Sequence, residues 1–243
     1  MCMKRDFLET LTGVPSGFNQ LDEITGGFQK SDLIVVASRP GMGKTSFAIS
    51  IAGDTKVQKN LNVLFFTQEM NRDAIIKRYW SCNKKKEPQT MENLEIIDYL
   101  HNTMDIMDEC QRRKMDWYID LIIIDYLQLL NFCDYTDKQK YKYLPQYLKQ
   151  LARAIDCPVV VLSQLNRDLE VRECKRPRIS DIRDSGYITE YADLILFLYR
   201  DDYYNIESEE KDICEVIVAK NKSGSTGSVQ LKWIEKYGLF CDS

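Results

Sequence analysis

Gly43-Lys44-Thr45 follows an apolar run, Leu33 to Ala37, and opens a stretch with helical patterning. Strand, tight turn and helix in that order build a phosphate-binding loop. Backbone N–H groups of the turn and the N-terminus of the helix converge on one anion. Within such a loop Lys44 reaches the β- and γ-phosphates, and the Thr45 hydroxyl ligates Mg²⁺. The candidate loop comprises Ser38, Arg39, Pro40, Gly41, Met42, Gly43, Lys44, Thr45 and Ser46. The strict spacing places a glycine where Ser38 stands. The competing reading is an ordinary strand-to-helix turn with an exposed lysine. The flanking strand and helix favour the phosphate loop, and with it a nucleotide hydrolase.

Three further strand ends carry polar groups. Leu121-Ile-Ile-Ile124 delivers Asp125 to the edge of the sheet, where an acid holds Mg²⁺ through water. Taken alone, Asp125 serves as well to cap a turn; beside a phosphate loop the metal role is favoured. Phe65-Phe66-Thr67-Gln68 leads to Glu69, which can orient and deprotonate an attacking water. A glutamate favoured by the dipole of a following helix is the plainer reading, and the catalytic one is preferred. Val159 to Gln164 ends in an amide suited to contact a γ-phosphate and report hydrolysis to the next loop. It suits equally the satisfaction of backbone groups at a strand end, and both readings stay open.

Two segments bear on nucleic acid. Residues 167–183 hold six basic side chains (Arg167, Arg172, Lys175, Arg176, Arg178, Arg183) against four acids (Asp168, Glu170, Glu173, Asp181), a surplus of two. Such a loop can track a phosphate backbone; a solvated surface loop fits the charge equally well. Between Asp134 and Tyr143, tyrosines 135, 141 and 143 alternate with lysines 138, 140 and 142. Aromatics beside cations suit single strands, and a helix start with inward-packed tyrosines fits at least as well.

These residues need a scaffold. Short, nearly all-apolar runs at Leu33–Ala37, Val63–Thr67, Leu121–Ile124, Val159–Leu162 and Leu194–Tyr199 predict strands covered on both faces. Helical patterns at Thr45–Ala52, Arg72–Cys82, Met91–Lys114 and Leu144–Ile155 separate most of them. The last starts near Leu144 because Pro145 fits a first turn. Alternation of this kind predicts an α/β fold with a mainly parallel sheet flanked by helices. Ile213–Lys220 and Ser228–Ile234 flank Ser-Gly-Ser-Thr-Gly and predict a C-terminal antiparallel hairpin. Residues 1–30 read as a lead-in packing on the edge of a core formed by 31–243, one domain overall. Lys84-Lys85-Lys86 reads as an exposed loop.

The chain has 243 residues and a formal net charge of −4, so any nucleic-acid surface must be local. No apolar stretch is long enough to span a bilayer, and the first residues lack the apolar core of a secretory signal. Eight cysteines without a Cys-x-x-Cys pair read as reduced thiols. The single histidine, His101, reads as a surface residue of a helix.

Taken in order, these segments resemble the C-terminal RecA-like ATPase domain of DnaB-type replicative helicases, over nearly the whole chain. The resemblance rests on Thr12-Gly-Val-Pro-Ser-Gly-Phe, Asp32 to Thr45, Gln68-Glu-Met and Ile124-Asp-Tyr-Leu-Gln-Leu. It continues in Leu162-Ser-Gln-Leu-Asn-Arg-Asp-Leu-Glu, Lys175 to Gly186 and Ala192 to Asp201. The family accepts a small residue at Ser38. The resemblance implies a RecA-like P-loop core, ATP with Mg²⁺, and Lys44 and Thr45 as phosphate and metal ligands. It makes Glu69 the catalytic base, Asp125 the metal-holding acid and Gln164 the γ-phosphate sensor. Arg183, Asp184 and Gly186 match a DNA-contacting turn in a central pore, with Asp184 one methylene shorter than the usual Glu. Implied partners are single-stranded DNA, five further copies in a hexameric ring with ATP at each interface, and a helicase loader or primase. The implied site of action is the cytoplasm, or the plastid stroma for an organelle-encoded chain.

The sequence departs from the family at several points. The helical N-terminal domain and most of the linker helix are not in this chain, which predicts a weaker ring. The stretch from Met70 to Leu94 is shorter than usual. A Lys-x-Arg pair that the family sends to a neighbour's γ-phosphate is here Lys220-Asn-Lys222. Lysine keeps the charge but loses the planar fork; an arginine of this kind contributes about 10³–10⁵ in rate. The favoured reading is an ATP-driven helicase motor domain moving 5′-to-3′ on single-stranded DNA. The alternatives are a catalytically weak ATP-binding interaction module and a RecA- or KaiC-like ATPase without unwinding activity.

Overall fold

The computed structural model describes residues 11–82, 93–132, 137–182 and 185–243. A nine-stranded sheet runs through it, in the order β3-β2-β4-β5-β1-β6-β7-β8-β9. The strands are β1 (Leu33–Ser38), β2 (Val63–Thr67), β3 (Leu94–Ile97), β4 (Leu121–Asp125), β5 (Val159–Gln164), β6 (Leu194–Tyr199), β7 (Ile213–Asn221), β8 (Gly227–Ile234) and β9 (Leu239–Asp242). The first six are parallel and the last three antiparallel. The helices are α1 (Asn19–Thr25), α2 (Lys44–Lys59), α3 (Arg72–Cys82), α4 (Thr103–Asp116), α5 (Asp137–Ile155), α6 (Ser185–Tyr191) and the short α7 (Asp201–Tyr204).

The near-continuous apolar strands are buried on both faces because two cores sandwich the sheet. Ile34, Val36, Phe65, Ile123 and Leu162 point to one core, with Phe47 and Ile51 of α2 and Ile75 of α3. Leu33, Val35, Phe66, Ile124 and Val161 point to the other, with Ile106 of α4, Leu148 of α5 and Ile188 of α6. The split follows the period-two alternation of strand side chains. Residues ahead of β1 contribute directly: Phe18, Leu21 and Phe28 are buried in the first core, and Val14 bridges Phe28.

Helix α2 runs on to Lys59, past its predicted end at Ala52, and two further elements differ. The helix predicted over Met91–Lys114 is a strand followed by a helix. Leu94 and Ile96 face one core and Ile97 the other. Four residues are too few for their alternation to stand out in the sequence, and pairing with β2 decides the conformation. The helix then starts where the Asn102 side chain accepts the Met104 N–H at 2.9 Å. His101 therefore lies ahead of α4, exposed but not helical.

The second difference is α5, which begins at Asp137 rather than Leu144, so Pro145 is internal. Tyr141, Leu144, Leu148, Leu151 and Ile155 form one buried stripe. Burial of that stripe outweighs the missing backbone hydrogen bond and the clash, which cost about 3 kcal/mol. Tyr141 is buried and Tyr143 packs on the core, so both tyrosines face inward. Tyr135 and the Lys84-Lys85-Lys86 loop lie outside the described residues. Strand β9 had no counterpart in the sequence reading.

Candidate functional site

Strands β1, β2, β4 and β5 all end at one edge of the sheet, and the chemistry-bearing residues lie just beyond. The turn after β1 needs positive φ at Gly41 (82°) and Gly43 (95°). Gly43 is also close-packed: a Cβ there would lie 2.9 Å from the Phe240 ring. Phe240 belongs to β9, so the far C-terminus presses against the loop. Phe47 of α2 meets the Phe240 ring edge-on, with centroids 5.8 Å apart, and stacks on Phe18 at 5.2 Å.

A cavity of about 560 Å³ opens on this loop. Pro40, Gly41, Gly43, Lys44, Thr45 and Ser46 line it with Glu69 and Gln164. The Thr45 hydroxyl donates to Asp125 Oδ2 at 2.7 Å. Lys44 Nζ donates to the Ser38 carbonyl and hydroxyl, both at 3.3 Å. Glu69 is exposed and sits ahead of α3, not in its first turn; Asn71 caps that helix by accepting the Ala74 N–H. Gln68, beside Glu69, donates to the Leu100 carbonyl at 2.6 Å and meets His101 Nδ1 at 2.5 Å. His101 thus supports the connection that carries Glu69.

Burial dominates the electrostatics. It pushes the Asp125 carboxyl up to about 6, helped by the Glu69 charge and opposed by the Thr45 hydrogen bond and Lys44. It lowers Lys44 to about 8, against the attraction of Asp125 and Glu69. A hydroxyl and a single carboxylate in contact fit Mg²⁺, which keeps most of its water and takes few protein ligands. Among the described residues no cluster of three metal-ligating side chains exists.

Not every residue of the candidate loop faces the cavity. Ser38 is buried and its hydroxyl donates to the Arg39 carbonyl. Met42 is buried. Arg39 turns away from the loop: its guanidinium donates to Glu170 at 2.8 Å and to the Leu165 carbonyl at 2.7 Å. It ties the phosphate loop to the segment after β5. Several lining residues carry no motif in the sequence: Lys77 and Arg78 of α3, Tyr126, Trp233 of β8, and Lys236, Tyr237 and Gly238 of the β8–β9 connection. Lys77 and Arg78 fall in the second turn of the helix that follows Glu69, a usable signal. Nothing local marks residues 233–238, which tertiary packing brings there.

Lys220 and Lys222 lie elsewhere. Lys222 Nζ pairs with Asp193 at 2.9 Å, and Asp193 also accepts the Leu33 N–H and Lys149. Lys220 donates to the Thr189 and Ala192 carbonyls. Leu33 opens β1 and the cavity lies past its end, a strand length of roughly 17 Å away. Arg183 and Asp184 lie outside the described residues; Gly186 is exposed in the first turn of α6. In the basic loop, Arg172 binds Asp181 at 3.0 Å, Arg176 pairs with Glu215, and Lys175 donates to the Glu170 carbonyl. These three cations are engaged within the chain.

Sheet order, glycine turn and the Lys44, Thr45 and Asp125 grouping define a P-loop domain of the RecA-like α/β class. Residues 13–98 and 89–242 match the family model of the DnaB-like helicase C terminal domain. The chain is 39% identical to the replicative DNA helicase DnaB of Geobacillus stearothermophilus, over 95% of this chain and 56% of that protein. It is 37% identical to the replicative DNA helicase DnaC of Bacillus subtilis, with the same coverage. A solved DnaB-like replicative helicase, described with its interactions with primase, superposes with a TM-score of 0.88 at 33% identity. That superposition covers 99% of this chain and 65% of that one. This chain belongs to the DnaB-like helicase C-terminal domain family. It spans about half the length of the curated relatives it matches.

Proposed function

We propose that this chain is the motor domain of a replicative DNA helicase, hydrolysing ATP to move along single-stranded DNA and unwind duplex. The observation that carries the reading is the Thr45–Asp125 contact of 2.7 Å in a cavity also lined by Lys44, Glu69 and Gln164. Lys44 and the backbone of the phosphate loop bind the β- and γ-phosphates. Thr45 and Asp125 hold Mg²⁺, which when bound neutralises charge developing on the phosphates. Glu69 orients the attacking water and accepts its proton. Gln164 contacts the γ-phosphate, and Arg39 links the loop to the segment that follows Gln164. Arg78 supplies a further positive charge to the cavity wall.

A neighbouring copy must supply any Lys220 or Lys222 contact, because within one chain both lie at the opposite edge of the sheet. A homo-hexameric ring meets that need, with single-stranded DNA in its pore near Arg183, Asp184 and Gly186. A loader or primase completes the set of partners. Among the described residues no helix is long and apolar enough to cross a membrane. The proposed location is the cytoplasm, or the stroma of a plastid. The test is ATP turnover and strand displacement on a forked duplex, with Lys44→Ala as control. Turnover that survives Lys44→Ala overturns the enzymatic reading. Turnover without displacement favours the RecA- or KaiC-like alternative.

One observation favours a second reading, an ATP-binding interaction module. Lys222 is held by Asp193 and Lys220 by two carbonyls, so both need to leave intrachain partners before reaching a neighbour. Nucleotide binding with turnover at background level supports that reading.

A further inference from the structure

Strand β5 outruns its neighbour. Its pairing with β4 ends at Ile124 and Val161, whereas its pairing with β1 continues to Ser38 and Gln164. Past Asp125 the chain leaves the sheet and forms a single 3₁₀ turn, Leu127–Leu129. Ser163 and Gln164 therefore have a strand on one side only. On that open side lies a side chain. Gln128 Nε2 donates to the Gln164 carbonyl at 3.2 Å and to the Ser163 hydroxyl at 3.1 Å. Gln128 Oε1 accepts the Gln164 N–H, also at 3.2 Å. One primary amide thus reproduces the donor and acceptor pair that a continued β4 would have offered. A primary amide can do both at once, since its NH₂ donates while its oxygen accepts. Lys140 of α5 fastens the clamp by donating to the Gln128 carbonyl at 2.8 Å.

We infer that Gln128 is a positioning residue for the reaction, clamping the backbone of Gln164 so that its side chain meets the γ-phosphate. The inference rests on the role proposed for Gln164. Gln128 meets both the N–H and the carbonyl of Gln164, β1 holds the flank through the Leu165 N–H to the Ser38 carbonyl at 3.1 Å, and Gln164 lines the cavity. A strand end held on one side only leaves that amide to sample several directions. Misplacing a reacting or sensing group by about 1 Å can cost as much as 10²-fold in rate. The Gln128 clamp also joins the β4 end, which carries Asp125, to the β5 end. Metal site and sensor therefore move as one body.

The test uses the full chain, assembled with ATP, Mg²⁺ and oligo-dT. Gln128→Ala and the equally long Gln128→Glu, which cannot donate to the Gln164 carbonyl, are each combined with Gln164→Ala. Each Gln128 change alone is expected to lower kcat about tenfold or more, with the affinity for a fluorescent ATP analogue unchanged. On the Gln164→Ala background neither change lowers kcat further. Hydrogen exchange at the Gln164 amide rises in Gln128→Ala, which loses the acceptor, while that at 159–162 does not. Wild-type turnover in both Gln128 variants, or a full multiplicative loss in the double variants, overturns the inference. Gln164→Ala with wild-type turnover overturns the sensor role itself, and this inference with it.

Discussion

Asp125 is buried, yet the proposed metal-holding role needs its charge, and the two demands conflict. Its carboxyl titrates near 6 in the folded chain against 3.8 when exposed. The folded state therefore binds the proton more tightly. Its contribution to stability is full below pH ~4 and is lost as pH rises through about 6. The shift corresponds to roughly 3 kcal/mol. Asp125→Asn should thus raise the melting temperature of the ligand-free chain at pH 7.5, with each kcal/mol worth about 2–4 °C. The gap should close as pH is lowered to about 4, as read by calorimetry. The same substitution should abolish Mg²⁺-dependent turnover. Opposite signs on stability and activity mark a group kept for function. At Glu69 the proton-accepting role predicts that Glu69→Gln binds ATP normally and turns over about 10²–10⁴-fold more slowly. Weakened binding instead would assign Glu69 to the ground state.

At the scale of elements, the phosphate loop is shaped by what packs beneath it. Gly43 takes a φ of 95° just ahead of helix α2, and Phe240 of β9 packs so close that a Cβ there would lie 2.9 Å from its ring. Trp233 of β8 packs against Phe240 with the rings tilted by 45° and centroids 4.7 Å apart. The terminal hairpin therefore sits directly under the proposed nucleotide site. Gly43→Ala meets both a φ of 95° and a backing ring. It should cost about 1–3 kcal/mol in stability and a larger share of nucleotide affinity, measured by chemical denaturation and by titration. An unchanged affinity would mean that the loop rebuilds itself around the methyl group. Helix α5 makes the complementary point, since its buried stripe carries a proline that local propensity would place at a helix start.

At the scale of the whole molecule, the cavity and Lys222 occupy opposite edges of the sheet, so one chain cannot complete its own site with Lys222. Burial holds Asp193 back from ionising, but Lys149, the Leu33 N–H and Lys222 outweigh it and its pKa falls below the usual carboxylate value. That network is a structural anchor for β1 and β6 as well as a holder of Lys222. The proposed ring predicts that turnover per chain rises with protein concentration as copies assemble, with native mass spectrometry reporting the species. Lys222→Arg should raise turnover in the assembled state about tenfold or more without changing nucleotide affinity, because a planar fork replaces a point charge. Equal turnover for both residues would remove Lys222 from the proposed trans contact.

The placement of Lys44, Thr45, Asp125, Glu69 and Gln164 beyond strand ends was legible because each follows a short apolar run bounded by turn signals, the pattern of a buried strand. A parallel sheet gathers such strand ends at one edge. Periodicity and residue type are local, and they carry that much of the fold and site. The same locality hid β3, whose four residues alternate too briefly, and the true start of α5, where a buried stripe overrules a proline. It hid the Trp233–Gly238 wall, which arrives from the end of the chain, and the turning of Arg39 away from the loop toward Glu170. The amide of Gln128 could be read from the sequence as a residue but not as a substitute for a strand. That role exists only where β4 stops and β5 continues. Which backbone groups are left unpaired is set by the register of distant strands, and no window of the sequence contains it.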